Sequence, residues 1–149
     1  MKIYKRDKRS PIPSSSKASY VASKIKSKNT KPELLLRKSL WKEGIRGYRL
    51  HPKSIPGKPD ICFIKRKVAI FVNGCYWHRC PKCNCRIPKS NRKFWADKFQ
   101  KNVERDFSKK NELEKLGFKV VICWECDVKN DIKSCIIAIK KALNDTNGN

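Results

Sequence analysis

The stretch from Pro59 to Cys85, PDICFIKRKVAIFVNGCYWHRCPKCNC, constrains this chain more than any other. Two apolar runs, Asp60 to Ile64 and Val68 to Val72, flank the basic tripeptide Lys65-Arg66-Lys67. Short β-prone runs on either side of a polar break predict a β-hairpin. A turn centred on Arg66 sets Asp60 across from Val72, where Asn73-Gly74 ends the second run. Cys75, His78, Cys80, Cys83 and Cys85 follow at once, with Tyr76 and Trp77 between them. An acid, an imidazole, thiols and paired aromatics therefore converge on one end of a predicted sheet.

Charge narrows the partner. Among 149 residues, 37 Lys and Arg face 13 Asp and Glu, a net charge of +24. Such an excess favours a polyanion, most simply nucleic acid. No apolar run is long enough to span a bilayer, and no basic amphipathic helix offers an apolar face, so a membrane is the weaker alternative. The start, MKIYKRDKRSPIPSSSK, lacks the apolar centre of a secretory signal. With a nucleic-acid partner, the convergence after Pro59 reads as a metal-dependent nuclease site with a zinc staple beside it.

Eight cysteines would make a disulfide framework only in an oxidising compartment. Their clustered spacing points to thiolate ligands instead. The local loop can supply three ligands, and Cys126, just past a β-prone run, a fourth. Cys75, Cys80, Cys83 and Cys85 alone form the competing set. Cys123 lies an odd number of residues from Cys126 and faces the other side of a strand. Cys123, Cys62 and Cys135 are expected in the core.

Along the chain, residues 1–18 read as a flexible basic arm, 19–143 as one domain and 144–149 as a frayed end. Thr30-Lys31-Pro32-Glu33 has the form of a capping box, and Leu34, Leu35, Leu36, Leu40 and Trp41 are the expected buried face of the helix it opens. By spacing alone, Glu33 is a cap. A short strand is expected over Tyr48 to His51, and His51 reads as an ordinary surface histidine. One long helix is predicted from Asn91 to Leu116, ended by Gly117. Trp95, Phe99, Val103 and Phe107 recur on it every four residues, which predicts core packing, with Trp95 free to project from it; Lys98, Asn102, Arg105 and Lys109 form a neighbouring stripe. FKVVICW (Phe118–Trp124) predicts a central strand and Asp131 to Leu143 a last helix. The order gives an α/β fold, a mixed sheet flanked by helices.

Asp60, at the start of an apolar strand, stands outside the core or binds a cation. Mg²⁺ suits it, with the Val72 carbonyl as a second oxygen. His78 has two open roles, zinc ligand or general base, and four cysteines for the zinc leave it free as the base. Tyr76 and Trp77 either stack on bases or form a small core over the cysteine loop.

PGKPD, IFVNGCYWH, the cysteines after it, FWADKFQKNVERD and VVICWEC together resemble the very-short-patch-repair (Vsr) endonucleases, in family order over residues 19–127. The resemblance implies a restriction-endonuclease-like fold, a structural Zn²⁺ and a Mg²⁺-dependent site. It implies nicking of double-stranded DNA 5′ of the thymine in a T·G mismatch left by deamination of 5-methylcytosine. It assigns Mg²⁺ to Asp60 and the Val72 main-chain oxygen, water activation to His78 and an active-site acid to Glu33. It assigns zinc to Cys75, Cys80 and Cys126, with the third loop ligand best placed at Cys83 and Cys85 the alternative. Tyr76, Trp77 and Trp95 match aromatics that enter DNA beside the mismatch. Asn73 stands where the family often has histidine or aspartate; it can bond a water but cannot be a base near neutral pH. Cys80 replaces a frequent histidine. The acid-x-Lys half of the usual restriction-enzyme motif is absent. A cytoplasmic, nucleoid-associated monomer of a prokaryotic cell is expected, with mismatch-repair proteins as partners.

Overall fold

A computed structural model describes residues 28–146. The basic arm expected over residues 1–18 lies outside the described residues, as do the last three positions. Helix α1 (Lys31–Lys42) opens the described chain, capped by Thr30 and closed at Gly44, whose φ of +73° suits a residue without a Cβ. Strands β1 (Arg49–Leu50), β2 (Ile61–Phe63) and β3 (Val68–Asn73) follow. Helix α2 (Arg92–Lys115) leads to β4 (Lys119–Trp124), and helices α3 (Glu125–Asn130) and α4 (Ile132–Asp145) close the fold. The last helix runs two residues past its expected end at Leu143 and is preceded by the short α3.

The four strands lie in the order β1-β2-β3-β4. The first three are antiparallel, and β4 runs parallel to β3 after the α2 crossover. One sheet face carries Ile61, Phe63, Val68, Ile70 and Cys123 against Leu36 and Leu40 of α1 and Ile136, Ile139 and Leu143 of α4. The other carries Cys62 and Ala69 against Leu113 and Phe118. Cys62, Cys123 and Cys135 are buried, as expected of small apolar side chains.

Three expectations are corrected. The hairpin register pairs Ile61 with Ile70 and Phe63 with Val68, one residue away from a turn centred on Arg66. Lys67 takes a φ of +53° and completes the turn, so the register places Asp60 opposite Phe71 rather than Val72. On α1, Leu36 and Leu40 are buried, but Leu34, Leu35 and Trp41 are exposed; the Arg46 guanidinium covers the Trp41 ring. On α2, Phe99 is buried whereas Val103 and Phe107 face outward. The helix instead turns inward along Phe99, Asn102, Asp106, Lys109 and Leu113, three or four residues apart. Its ends pack, and its polar middle crosses a cleft at the end of the sheet.

Candidate active site and metal centre

That cleft, of about 450 Å³, lies beyond the ends of β2 and β3. Glu33, Asp60, Asn73, Trp77, His78, Asp106 and Lys109 line it. Asp60 immediately precedes β2, and its carboxylate accepts a hydrogen bond from the Val72 amide at 2.7 Å. The reason lies in the register. Extended past Ile61–Ile70, it sets Val72 opposite Pro59. Proline has no N–H, so the Val72 carbonyl meets no ladder donor there. The Val72 amide takes the Asp60 side chain instead. Burial pushes the Asp60 carboxyl up to about 6; the Val72 amide opposes the rise and the nearby Glu33 carboxylate adds to it.

Glu33 sits in the first turn of α1 and is almost fully buried. Its carboxylate accepts from the Asn29 amide at 3.0 Å and the Thr30 hydroxyl at 3.2 Å. The capping role and a place in the cleft therefore coexist. His51, expected on the surface, is half-buried between the acids: Nε2 is 3.4 Å from Glu33 and Nδ1 3.6 Å from Asp60. Glu33, His51 and Asp60 offer donor atoms within 4.8 Å of one another, a spacing that fits one cation.

The loop after β3 coils once: His78 N–H bonds to the Gly74 carbonyl at 3.1 Å and Cys80 N–H to that of Cys75 at 2.9 Å. The coil sends Trp77 and His78 into the cleft and turns Cys75 and Cys80 to the other side. His78 Nδ1 lies 2.5 Å from the Asp106 carboxylate. With Asp106 accepting the Nδ1 proton, Nε2 keeps a lone pair for a substrate-side proton. Asn102, one helical turn before Asp106, donates to the Trp77 carbonyl at 3.2 Å and ties α2 to the same loop. Asp106 had no role in the sequence reading; its signal was the i, i+4 relation to Asn102 on the polar stripe of α2. Asn73 is buried at the end of β3 beside these groups.

Behind the cleft, Cys75, Cys80, Cys83 and Cys126 bring their sulfurs within 4.8 Å of one another. Cys85 is outside this set, and its carbonyl accepts from Arg79. Cys80 and Cys126 sulfurs are 3.8 Å apart. That is the edge of a tetrahedron with metal–sulfur bonds of about 2.3 Å. The Cys126 amide donates to the Cys75 sulfur at 3.3 Å. Burial raises the Cys80 thiol, but amides of Lys82 and Cys83 and the neighbouring thiols outweigh it and bring it below its ordinary value. Such donors favour a thiolate. The chemistry and spacing fit Zn²⁺. Lys82 pairs with Asp127 of α3 at 2.5 Å and ties the loop down again.

Tyr76, Trp77 and Trp95 come together, each half-buried, around the buried Phe99. Ring centroids are 5.1 Å apart for Tyr76–Trp77, 6.0 Å for Trp77–Trp95 and 5.2 Å for Tyr76–Phe99. Trp95, which the sequence left free to project, packs on Phe94, Phe99 and Trp77. Lys98 Nζ lies 5.4 Å from the centre of the Trp95 ring. No helix among the described residues is long and apolar enough to cross a membrane.

The family model for the DNA mismatch endonuclease Vsr matches residues 4–84. The type II nicking enzyme V.NmeAIP of Neisseria meningitidis serogroup A is 52% identical over 117 residues, covering 77% of this chain and 81% of the relative. The type II nicking enzyme V.XorIIP of Xanthomonas oryzae pv. oryzae is 40% identical over 114 residues, 74% of this chain and 81% of the relative. The DNA mismatch endonuclease Vsr of Escherichia coli K12 is 33% identical over 119 residues, 80% of this chain and 76% of the relative.

Proposed function

The chain belongs to the Vsr family of DNA mismatch endonucleases, with their restriction-endonuclease-like fold, and from that premise we propose that it nicks duplex DNA 5′ of the thymine in a T·G mismatch left by deamination of 5-methylcytosine. The observation that carries the reading is the pairing of His78 with Asp106 in the same cleft as Asp60 and Glu33. It supports a general base beside a cation site, the two parts that phosphodiester hydrolysis needs.

Asp60 and the Val72 carbonyl hold Mg²⁺ in this reading. Bound there, the ion would supply polarisation of the scissile phosphate and stabilisation of its developing charge. His78 takes the proton of the attacking water at Nε2, while Asp106 fixes the ring and the Nδ1 proton. Glu33 is the second carboxylate of the cation site, and Asn73 holds water beside it, donating or accepting without changing charge. Zn²⁺ on Cys75, Cys80, Cys83 and Cys126 anchors the loop that carries His78. Tyr76, Trp77 and Trp95 face the opened base step, and the arm, residues 1–18, adds phosphate contacts to the domain at 19–143. The enzyme acts as a monomer on chromosomal DNA in the cytoplasm, upstream of mismatch-repair proteins.

Two relatives are named type II nicking enzymes, and a second reading is nicking at a target of other specificity. One experiment separates them. Purified protein with Mg²⁺ is given a T·G duplex and its T·A and C·G counterparts. A nick confined to the T·G duplex, 5′ of the thymine, is expected. Equal nicking of all three overturns the mismatch reading, and no nicking with any divalent cation overturns both.

A further inference from the structure

We infer that His51 is a metal ligand through Nε2, completing with Glu33 and Asp60 a mixed nitrogen–oxygen site that prefers Mn²⁺ to Mg²⁺. This deepens the proposed function and rests on its premise that Asp60 holds the cation.

A buried imidazole ordinarily gives each ring nitrogen a partner. His51 Nε2 is fully buried and has no hydrogen-bond partner among the described residues. It lies 3.4 Å from the Glu33 carboxylate, outside hydrogen-bonding geometry. Two donors sharing one ion at about 2.1 Å stand about 3.0–3.4 Å apart, depending on the bond angle. The separation suits a shared ion better than a direct bond.

The chain brings three distant segments to this point. Glu33 comes from the first turn of α1, His51 from just after β1, and Asp60 from just before β2. The His51 amide donates to the Asp60 carbonyl at 3.4 Å, so the sheet holds the imidazole and the carboxylate together.

The nitrogen sets the preference. Mg²⁺ demands oxygen ligands in near-ideal octahedral geometry and keeps its waters. An imidazole replaces one such oxygen with a softer donor that suits first-row transition metals. The Asp60 and Glu33 carboxylates keep the site rich in oxygen, which suits Mn²⁺ among them.

The test uses the full chain loaded with zinc beforehand. Mn²⁺ binding is read from the electron paramagnetic resonance of the free ion, and Mg²⁺ binding by competition. Wild type should bind Mn²⁺ at least about tenfold more tightly than Mg²⁺. His51→Gln and His51→Ala should bring that ratio to within about threefold of unity while Mg²⁺ affinity changes little. Electron spin-echo modulation of Mn²⁺ on wild type should show a directly bound nitrogen, which needs no variant to fold, and His51→Gln should lose it. No bound nitrogen in wild type, or an unchanged ratio in a folded His51 variant, overturns the inference. Asp60→Asn separates the two levels. If it binds both ions as wild type does, the premise about Asp60 fails; if it loses both while the His51 variants keep the wild-type ratio, only the ligand role of His51 fails.

Discussion

Two clusters of metal-competent side chains stand among the described residues, and they are built in opposite ways. The cysteine cluster takes three donors from one loop and a fourth from the start of α3. Backbone amides donate to its sulfurs, and a Lys82–Asp127 pair holds the loop against α3. The Glu33–His51–Asp60 cluster takes each donor from a different segment and opens on a cleft. Without a cation, its Asp60 carboxylate is a liability, because burial raises that carboxyl. Closed thiols from a local loop make a staple. Desolvated acids gathered from afar make a reactive site, at a cost in stability that a cation offsets.

The largest expected effects come from crossing the two. Cys126→Ser should lose zinc and with it cooperative unfolding, because a closed thiolate site contributes directly to folding. Asp60→Asn should keep zinc and fold yet lower nicking by about a thousandfold or more, an effect of the size seen when a charge-stabilising group is removed. Metal analysis, a thermal melt and a nicking rate on each variant read the crossing. A zinc-free Cys126→Ser that melts like wild type would show that the cluster is not a staple. Within the staple, Cys83→Ser should surrender zinc to a chelator sooner than Cys85→Ser, since Cys85 lies outside the set.

A smaller loss separates the base from the residue behind it. His78→Ala should slow nicking by about 10²–10⁴-fold, the range for a general base. Asp106→Asn leaves the ring in place but no longer fixes the Nδ1 proton, and a loss of about 10–100-fold is expected. Rates from pH 5 to 9 on pre-bound T·G duplex check both. If Asp106→Asn matches wild type throughout, Asp106 only packs against the loop.

The third prediction concerns the liability itself, in protein freed of Mg²⁺ but retaining zinc. Asp60 has a folded pKa of about 6 against an ordinary value of 3.8. The folded state therefore holds this proton more tightly than the unfolded chain. As pH rises from about 4 to about 6, the unfolded chain gives the proton up first, and stability falls. Above that window the penalty is constant, up to about 3 kcal/mol for a shift of this size. Asp60→Asn has no such titration and should be the more stable protein at pH 7. The difference should vanish near pH 4 and shrink at pH 7 on adding Mn²⁺. Denaturant midpoints of both proteins across pH measure it; a wild type at least as stable as the variant at pH 7 would remove the liability from the comparison.

The unequal legibility of the two clusters has the same origin as their construction. Cysteines spaced along one loop are visible as a pattern, and Cys126 announces itself just past a β-prone run. The hairpin, the long α2 and β4 were legible because apolar periodicity reports burial directly. His51 was not, since no spacing links a residue after β1 to Glu33 or to Asp60 until the sheet has formed. Periodicity also misled on α2. The aromatic stripe through Val103 and Phe107 reads as core, yet the helix turns inward the half-buried stripe that runs through Asn102 and Asp106. Its polar middle faces a cleft rather than a core, and a rule that equates inward with apolar misses a wall that must carry charge. Asp60 was placed at the start of the β2 run, which it immediately precedes, but the one-residue register difference was invisible because Lys67 in its left-handed conformation lengthens the turn.

Trp77 stands between the two clusters, on the coil that sends Cys75 one way and His78 the other, and the smallest predicted effect decides to which it belongs. Its ring packs against Tyr76, Trp95 and Phe99, and it also lines the cleft. A T·G wobble step is cheaper to unstack than a paired one, and unstacking costs a few kcal/mol. A ring that enters the opened step gains about 1–3 kcal/mol of stacking, so Trp77→Ala should narrow the preference for T·G over T·A by about tenfold. The salt dependence of binding should stay nearly the same, because no phosphate contact is lost. Replacing Lys2, Lys5, Lys8 and Lys17 with glutamine should do the reverse: weaker binding to every duplex, a shallower salt slope and an unchanged preference. Binding and nicking of both duplexes over a salt series, with a thermal melt of the variant, measure these outcomes. Equal weakening on both duplexes together with a lowered melting point would assign Trp77 to the staple, as packing over the cysteine loop. A narrowed preference in a variant that keeps its zinc and its melt would assign it to the cleft, and the comparison would then run through a single turn of chain.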